Sequence, residues 1–158
     1  MSDPKLSELT QDGNLRAKVA AVLDDLARLD EDAKIFEAKR TVEQQREKVR
    51  LGYSKTMRSY HLKRGSDGGA KAADIADRAK AWNASKRFWM ILGASAWGHG
   101  LGWGGLFGLG AKQKTKLMAA LKRLSAAGWP EHSPDYETPV GWDTAHVQAD
   151  FNWPEVRS

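Results

Sequence analysis

The sequence predicts an all-α, elongated protein that places one apolar segment in a membrane, and three observations predict it. Residues 88–111 carry no acidic or basic side chain except His99. No proline occurs between Pro4 and Pro130. Apolar residues from Leu15 onward follow a heptad-like spacing.

Along the chain, residues 1–64 read as a long amphipathic, coiled-coil-like helical region, with the helix proper from about Asn14 to His61. Leu15, Val19, Val22, Leu26, Leu29, Ala33 and Phe36 form its seam, and the stripe resumes out of phase at Val42, Val49, Tyr53, Met57 and Tyr60. Residues 65–69, Gly-Ser-Asp-Gly-Gly, predict a hinge. Residues 70–87 predict a short alanine-rich helix with Ile75, Ala79 and Trp82 on one side. Residues 112–128 predict a short basic helix built on Leu117, Leu121 and Leu124 and stopped by Gly128 and Pro130. Residues 129–158 hold four of the five prolines and predict an extended acidic tail, anchored by Trp129, Trp142 and Trp153.

The apolar run holds eleven large apolar residues and eight glycines. As one helix its 24 residues would measure about 36 Å, against a hydrocarbon core of about 30 Å. Eight glycines disfavour such a helix in water, at about 0.8–1 kcal/mol each relative to alanine. In lipid the backbone has no other way to pair its amides. Gly100, Gly104 and Gly108 form one small-residue row and Gly98 with Gly102 a second, so these five predict a helix-packing face. Lys86, Arg87, Trp89, Lys112, Lys114 and Lys116 are the expected membrane-interface residues. Equal basic charge on either side of the run leaves its orientation open.

Charge is segregated. Residues 1–38 carry five Lys/Arg against nine Asp/Glu, residues 39–127 nineteen against five, and residues 129–158 one against six. A basic middle predicts an anionic partner, with lipid headgroups ahead of nucleic acid. Lys39–Arg64, with nine basic residues against two glutamates and Tyr53 and Tyr60 between them, is the nucleic-acid candidate.

Catalytic chemistry finds little support in the sequence. The chain has no cysteine, which excludes disulfides, thiolate metal sites and cysteine nucleophiles. Gly100-x-Gly102-x-x-Gly105 lacks the strand and helix that a dinucleotide fingerprint needs. Of the four histidines, His61, His99, His132 and His146, none pairs with another at helical spacing. His99, an ionisable group within the apolar run, is a functional candidate. His132, Asp135 and Glu137 are near enough in sequence to share a metal, although an exposed tail accounts for them more simply. Paired acids such as Asp24 with Asp25 read as a solvated helix face. The expectation is a non-enzymatic accessory subunit, without cofactor or metal, that braces the protein subunits of a membrane assembly. An organellar inner-membrane complex is favoured. The alternatives are a virion ejection or neck protein and a soluble basic nucleic-acid-binding module.

Overall fold

A computed structural model describes residues 2–54 and 56–154. It is mixed α/β: four helices and a four-stranded antiparallel sheet share one core. The all-α, elongated architecture is thereby corrected. The helices are α1 (Leu15–Arg28), α2 (Val42–Arg50), α3 (Lys86–Gly98) and α4 (Ala111–Ala126). The strands are β1 (Ala33–Glu37), β2 (Ala72–Asp77), β3 (Gly102–Trp103) and β4 (His146–Gln148). The sheet order is β1-β2-β4-β3. α3 packs against both α1 and α4, while α1 touches β1 and α3 touches β3.

The long N-terminal helix divides into three elements. Leu15, Val19, Val22 and Leu26 are buried along α1, so this part of the seam is real packing. The chain then leaves the helix at Leu29, and Asp30 takes a left-handed conformation (φ 62°). Next comes a strand whose buried residue is Ile35, a position outside the heptad seam. A separate helix begins at Thr41, whose hydroxyl accepts from the Gln44 amide (3.1 Å) while the Gln44 side chain accepts from the Thr41 amide (2.8 Å). This reciprocal cap is a start signal that the heptad spacing hides.

The alanine-rich stretch expected to be helical is instead the central strand β2, with Ala72–Ala76 buried. Helix propensity is a weak prior. Here pairing on both edges outweighs it, with β1 opposite Ala33↔Asp77 and Ile35↔Ile75, and β4 opposite Ala72↔Gln148 and Asp74↔His146.

The apolar run becomes α3, the short β3, and a 3-10 turn over Gly104–Leu106. Ser85 caps α3 by accepting from the Phe88 amide (3.1 Å), and Gly100 turns the chain beyond its end (φ 73°). Thirteen residues give a helix of about 20 Å, too short for a bilayer. Among the described residues no helix is long and apolar enough to cross a membrane. The single-pass membrane expectation is corrected accordingly. Phe88, Trp89, Met90, Ile91 and Leu92 are buried by protein on successive faces. Hydrophobicity all round a helix marks burial, and here the surrounding medium is the chain's own core.

The expected helix-packing glycines serve other contacts. Gly98 and Gly100 face open space, Gly102 receives Phe151, Gly104 receives the backbone of Asp143, and Gly108 lies against Trp142. Of the expected interface residues, Lys86 pairs with Glu137. Arg87 donates to Glu31 (2.8 Å) and to the carbonyls of Leu29 (3.0 Å) and Trp129 (3.1 Å). Trp89 is core, whereas Lys112 and Lys116 are exposed and Lys114 is half-buried in the first turns of α4.

The glycine-rich segment 65–69 is held by the N-terminal region. Asp67 accepts from the Thr10 hydroxyl (2.7 Å) and from the amides of Gln11 (2.8 Å) and Gly69 (3.0 Å). The two backbone donors, then the hydroxyl, hold its carboxyl down at about 2 from the ordinary 3.8. A depressed folded value means that the stabilisation is complete above the ordinary value and disappears as pH falls through about 2. Asp67→Asn is expected to lower the melting temperature at neutral pH, with the gap to wild type closing as pH falls toward that value. A gap that persists in acid would place the effect elsewhere.

Candidate metal centre

The acidic, proline-containing stretch expected to be an extended, tryptophan-anchored tail supplies His146 and Asp143. Gly141 donates its amide to the Gly105 carbonyl, and the amides of Trp142 and Asp143 donate to the carbonyls of Phe107 and Gly104 (both 3.3 Å). Trp103, buried against Gly93 and Gly105, donates its indole N–H to Thr144 O (2.7 Å). These bonds deliver residues 141–146 to the edge of β2, where His146 stands directly opposite Asp74. Facing cross-strand side chains are near neighbours, with Cβ atoms about 4.5–5.5 Å apart.

His61 arrives from the other side. It follows the loop after α2, and its backbone carbonyl accepts from the Arg40 amide (3.2 Å) and from the Arg64 guanidinium (2.6 Å). His61 Nε2 lies 3.2 Å and His146 Nδ1 3.5 Å from Asp74 Oδ1. All three ligand atoms fall within 4.8 Å of one another, and among the described residues no other group of this kind occurs. The three residues are buried, at 2%, 9% and 6% exposure for His61, Asp74 and His146.

The far sides of the rings decide what their near sides offer. His61 Nδ1 lies 2.7 Å from the Ala38 carbonyl and therefore carries the proton, leaving Nε2 with a lone pair. His146 Nε2 lies 2.8 Å from Gln148 Oε1 and likewise donates, leaving Nδ1 with a lone pair. Two lone pairs and a carboxylate thus converge on one buried point. Such a point calls for a positive charge among the three groups, either a proton on one imidazole or a metal ion. Donors about 2.0–2.1 Å from a tetrahedral ion sit about 3.4 Å apart, close to the observed 3.2 and 3.5 Å. Two histidines plus one carboxylate, each histidine oriented by an outer acceptor, is a set found in catalytic zinc sites. The residues fit a divalent metal ion.

Without a metal, a proton supplies that charge. Burial acts to raise the Asp74 carboxyl, but hydrogen bonds from His146 and His61 outweigh it and hold the group well below the carboxylate range. Burial acts to lower His146, and the Asp74 hydrogen bond and charge, joined by Asp143, push it up instead.

Two further groups flank the cluster. Asp143 Oδ2 is 3.9 Å from His146 Nδ1, with its side chain 29% exposed. Burial raises its carboxyl, partly offset by His146. Arg40 places a guanidinium nitrogen 3.9 Å from Asp74 Oδ2. Glu37 (2.7 Å), Gln45 and Ser59 (3.3 Å) fix the remaining donors. Gln45, the buried residue of α2, also donates to Ser54 (2.9 Å) and the Thr56 carbonyl (2.6 Å), tying Arg40 to the loop that leads to His61.

No family model and no curated protein matches the chain. In structure it is similar to the L-Ala D-Glu endopeptidase ChiX of Serratia marcescens, at a TM-score of 0.52 and 18% identity, over 91% of this chain and 82% of that one. The fold is one that supports an endopeptidase there. The buried His–Asp–His cluster, set in a fold of this kind, corrects the expectation of a chain without a catalytic or metal site. With no helix among the described residues able to cross a membrane, the reading as a single-span accessory subunit of a membrane assembly is corrected as well.

The other sequence candidates lie apart from the centre. His99 caps the end of α3 and contacts Asp25 (3.0 Å), which also accepts from Ser95 (2.6 Å). This joins α3 to α1, so Asp25 is not merely a solvated acid. His132 is exposed, Asp135 pairs with Arg123 (2.8 Å), and Glu137 pairs with Lys86, so these three form no common site. Trp129 is buried, Trp153 donates to the Leu101 carbonyl (2.6 Å), and Trp142 is exposed. A hollow of about 970 Å3, lined by Asp3, Asp24, Asp30 and Lys34 among others, shares no residue with the centre.

Histidine pairs on one helix, the spacing signal of a metal site, do not occur in this sequence. Asp143-x-x-His146 was the available local signal. Asp74 and His146 meet through strand register and His61 joins them from a loop, neither of which spacing along the chain reveals.

Proposed function

We propose that the chain is a metal-dependent peptidase working through His61, Asp74 and His146. The observation that supports it most directly is the convergence of two histidine nitrogens and a carboxylate, each imidazole held by an outer acceptor, with a second carboxylate of raised pKa alongside. A zinc ion held there supplies Lewis acidity, acidifying water and polarising the scissile carbonyl. Asp143 acts as general base, taking the proton from the attacking water and then giving it to the departing amine nitrogen as the C–N bond breaks. Its raised pKa suits the second transfer as well as the first. Arg40, immobilised by Glu37, Gln45 and Ser59, sets a fixed positive charge beside the centre, where negative charge develops on the carbonyl oxygen. The activity in the name of the Serratia protein gives the first substrates to test, peptides containing an L-Ala–D-Glu bond.

The test is metal content and hydrolysis together. Purified chain is expected to retain zinc, to release new amino termini from such peptides, and to lose activity to 1,10-phenanthroline but not to its non-chelating isomer. Gln148→Leu, which frees the outer side of His146, is expected to weaken zinc binding about 10–100-fold in a competition titration. A chain that neither holds metal nor cleaves peptide would refute the reading.

A further inference from the structure

The groups of the proposed centre are all polar, and orienting a peptide for attack needs surface away from the reacting atoms. One residue beside Asp143 offers that surface. Trp142 is 69% exposed, and among the described residues its indole N–H has no hydrogen-bond partner. A large aromatic ring left in water is informative where a polar residue would serve the fold equally well.

The ring is nonetheless held in place. Its centroid lies 5.7 Å from that of Phe107, which lies 5.6 Å from the His146 ring. The Trp142 amide donates to the Phe107 carbonyl (3.3 Å). Gly108, in a left-handed conformation, leaves room on one side, since a Cβ there would meet Trp142 Cδ1 at 3.1 Å. Phe107 continues to Phe151 (6.4 Å) and thence to Trp153 (5.8 Å), which stacks on Trp97. Trp142 is thus the exposed end of an aromatic row that passes beside a metal-ligand candidate. Two other aromatics, Tyr53 and Trp82, are also exposed, but neither adjoins a residue of the centre in the chain. Trp82 packs edge-on against Phe36.

We propose that Trp142, backed by Phe107, is a substrate-binding platform that stacks on an apolar residue flanking the scissile amide. An anchored aromatic face gives contact area at low entropic loss, and the chain's turn at Asp143 places that face next to the proton-transfer group. The site therefore discriminates against charged residues at this position, which would be desolvated against a ring without a compensating partner. The inference rests on the peptidase reading.

The test compares wild type, Trp142→Ala and Trp142→Phe on L-Ala–D-Glu peptides whose neighbouring residue is alanine, leucine or aspartate. Trp142→Ala is expected to lower kcat/KM about 10–100-fold on the apolar members, mainly through KM, and to narrow the preference over aspartate. Trp142→Phe is expected to stay within about threefold of wild type, and zinc content to be the same in all three. Unchanged kinetics in Trp142→Ala, or an equal loss on every peptide, overturns the platform alone. A wild-type chain that binds zinc yet cleaves none of the peptides overturns the peptidase reading and the platform with it.

Discussion

Asp143→Asn is expected to lower kcat by about 10²–10⁴-fold while leaving zinc content unchanged. The amide has nearly the shape of the carboxyl, and the residue's backbone bond to the Gly104 carbonyl (3.3 Å) does not involve the side chain. Only the capacity to take and return a proton is lost. Metal content measured beside single-turnover hydrolysis separates this from damage to the ligands, because His61, Asp74 and His146 all remain. A variant with wild-type kcat would show that the proton travels through another group. A variant without metal would show that Asp143 acts on the centre's assembly.

Gly104→Ala is expected to injure the same centre by a different route. An added Cβ would lie 2.0 Å from the Asp143 carbonyl oxygen and 2.8 Å from its Cβ. Neither is the end of a flexible side chain, so the backbone carrying Asp143 and His146 must move. Overpacking of this kind costs about 1–3 kcal/mol, or about 3–10 °C in melting temperature for a chain of this size, and zinc affinity should fall with it. Gly98→Ala is the control. That residue ends α3 with nothing within 4 Å, so alanine is expected to be neutral or stabilising by up to about 1 kcal/mol. Were the two glycines parts of one helix-packing face, both substitutions would weaken assembly. Equal behaviour of the two variants in thermal melts would refute the assigned role of Gly104.

Parts of this fold are legible from the residues alone. The seam Leu15, Val19, Val22 and Leu26 is a buried helix face, and Leu117, Leu121 and Leu124 are the buried side of α4. The stop at Gly128, with φ 73°, is also where the sequence places it. The strands were hidden for definite reasons. Leu29, Ala33 and Phe36 continue the heptad count by coincidence across a chain reversal at Asp30. The alanines of β2 favour a helix locally and become a strand only because partners from residues 33–37 and 146–148 lie along both edges. The apolar run reads as a membrane span because length and lack of charge do not distinguish lipid from a protein interior. Its glycines admit Trp103, Phe151 and the Asp143 backbone, contacts that come from elsewhere in the chain. The centre was hidden likewise: His61, Asp74 and His146 share no helix, and the histidine that stood out, His99, makes a link between helices.

Seventy-two residues separate Asp74 from His146, although the two side chains face each other across adjacent strands. A chain emerging from the ribosome therefore carries two of the three ligands long before the third, and it has no working centre in the interval. Any product that stops short of β4 lacks the third residue of the proposed centre. The proposed centre is complete only once the helices between these strands have been made.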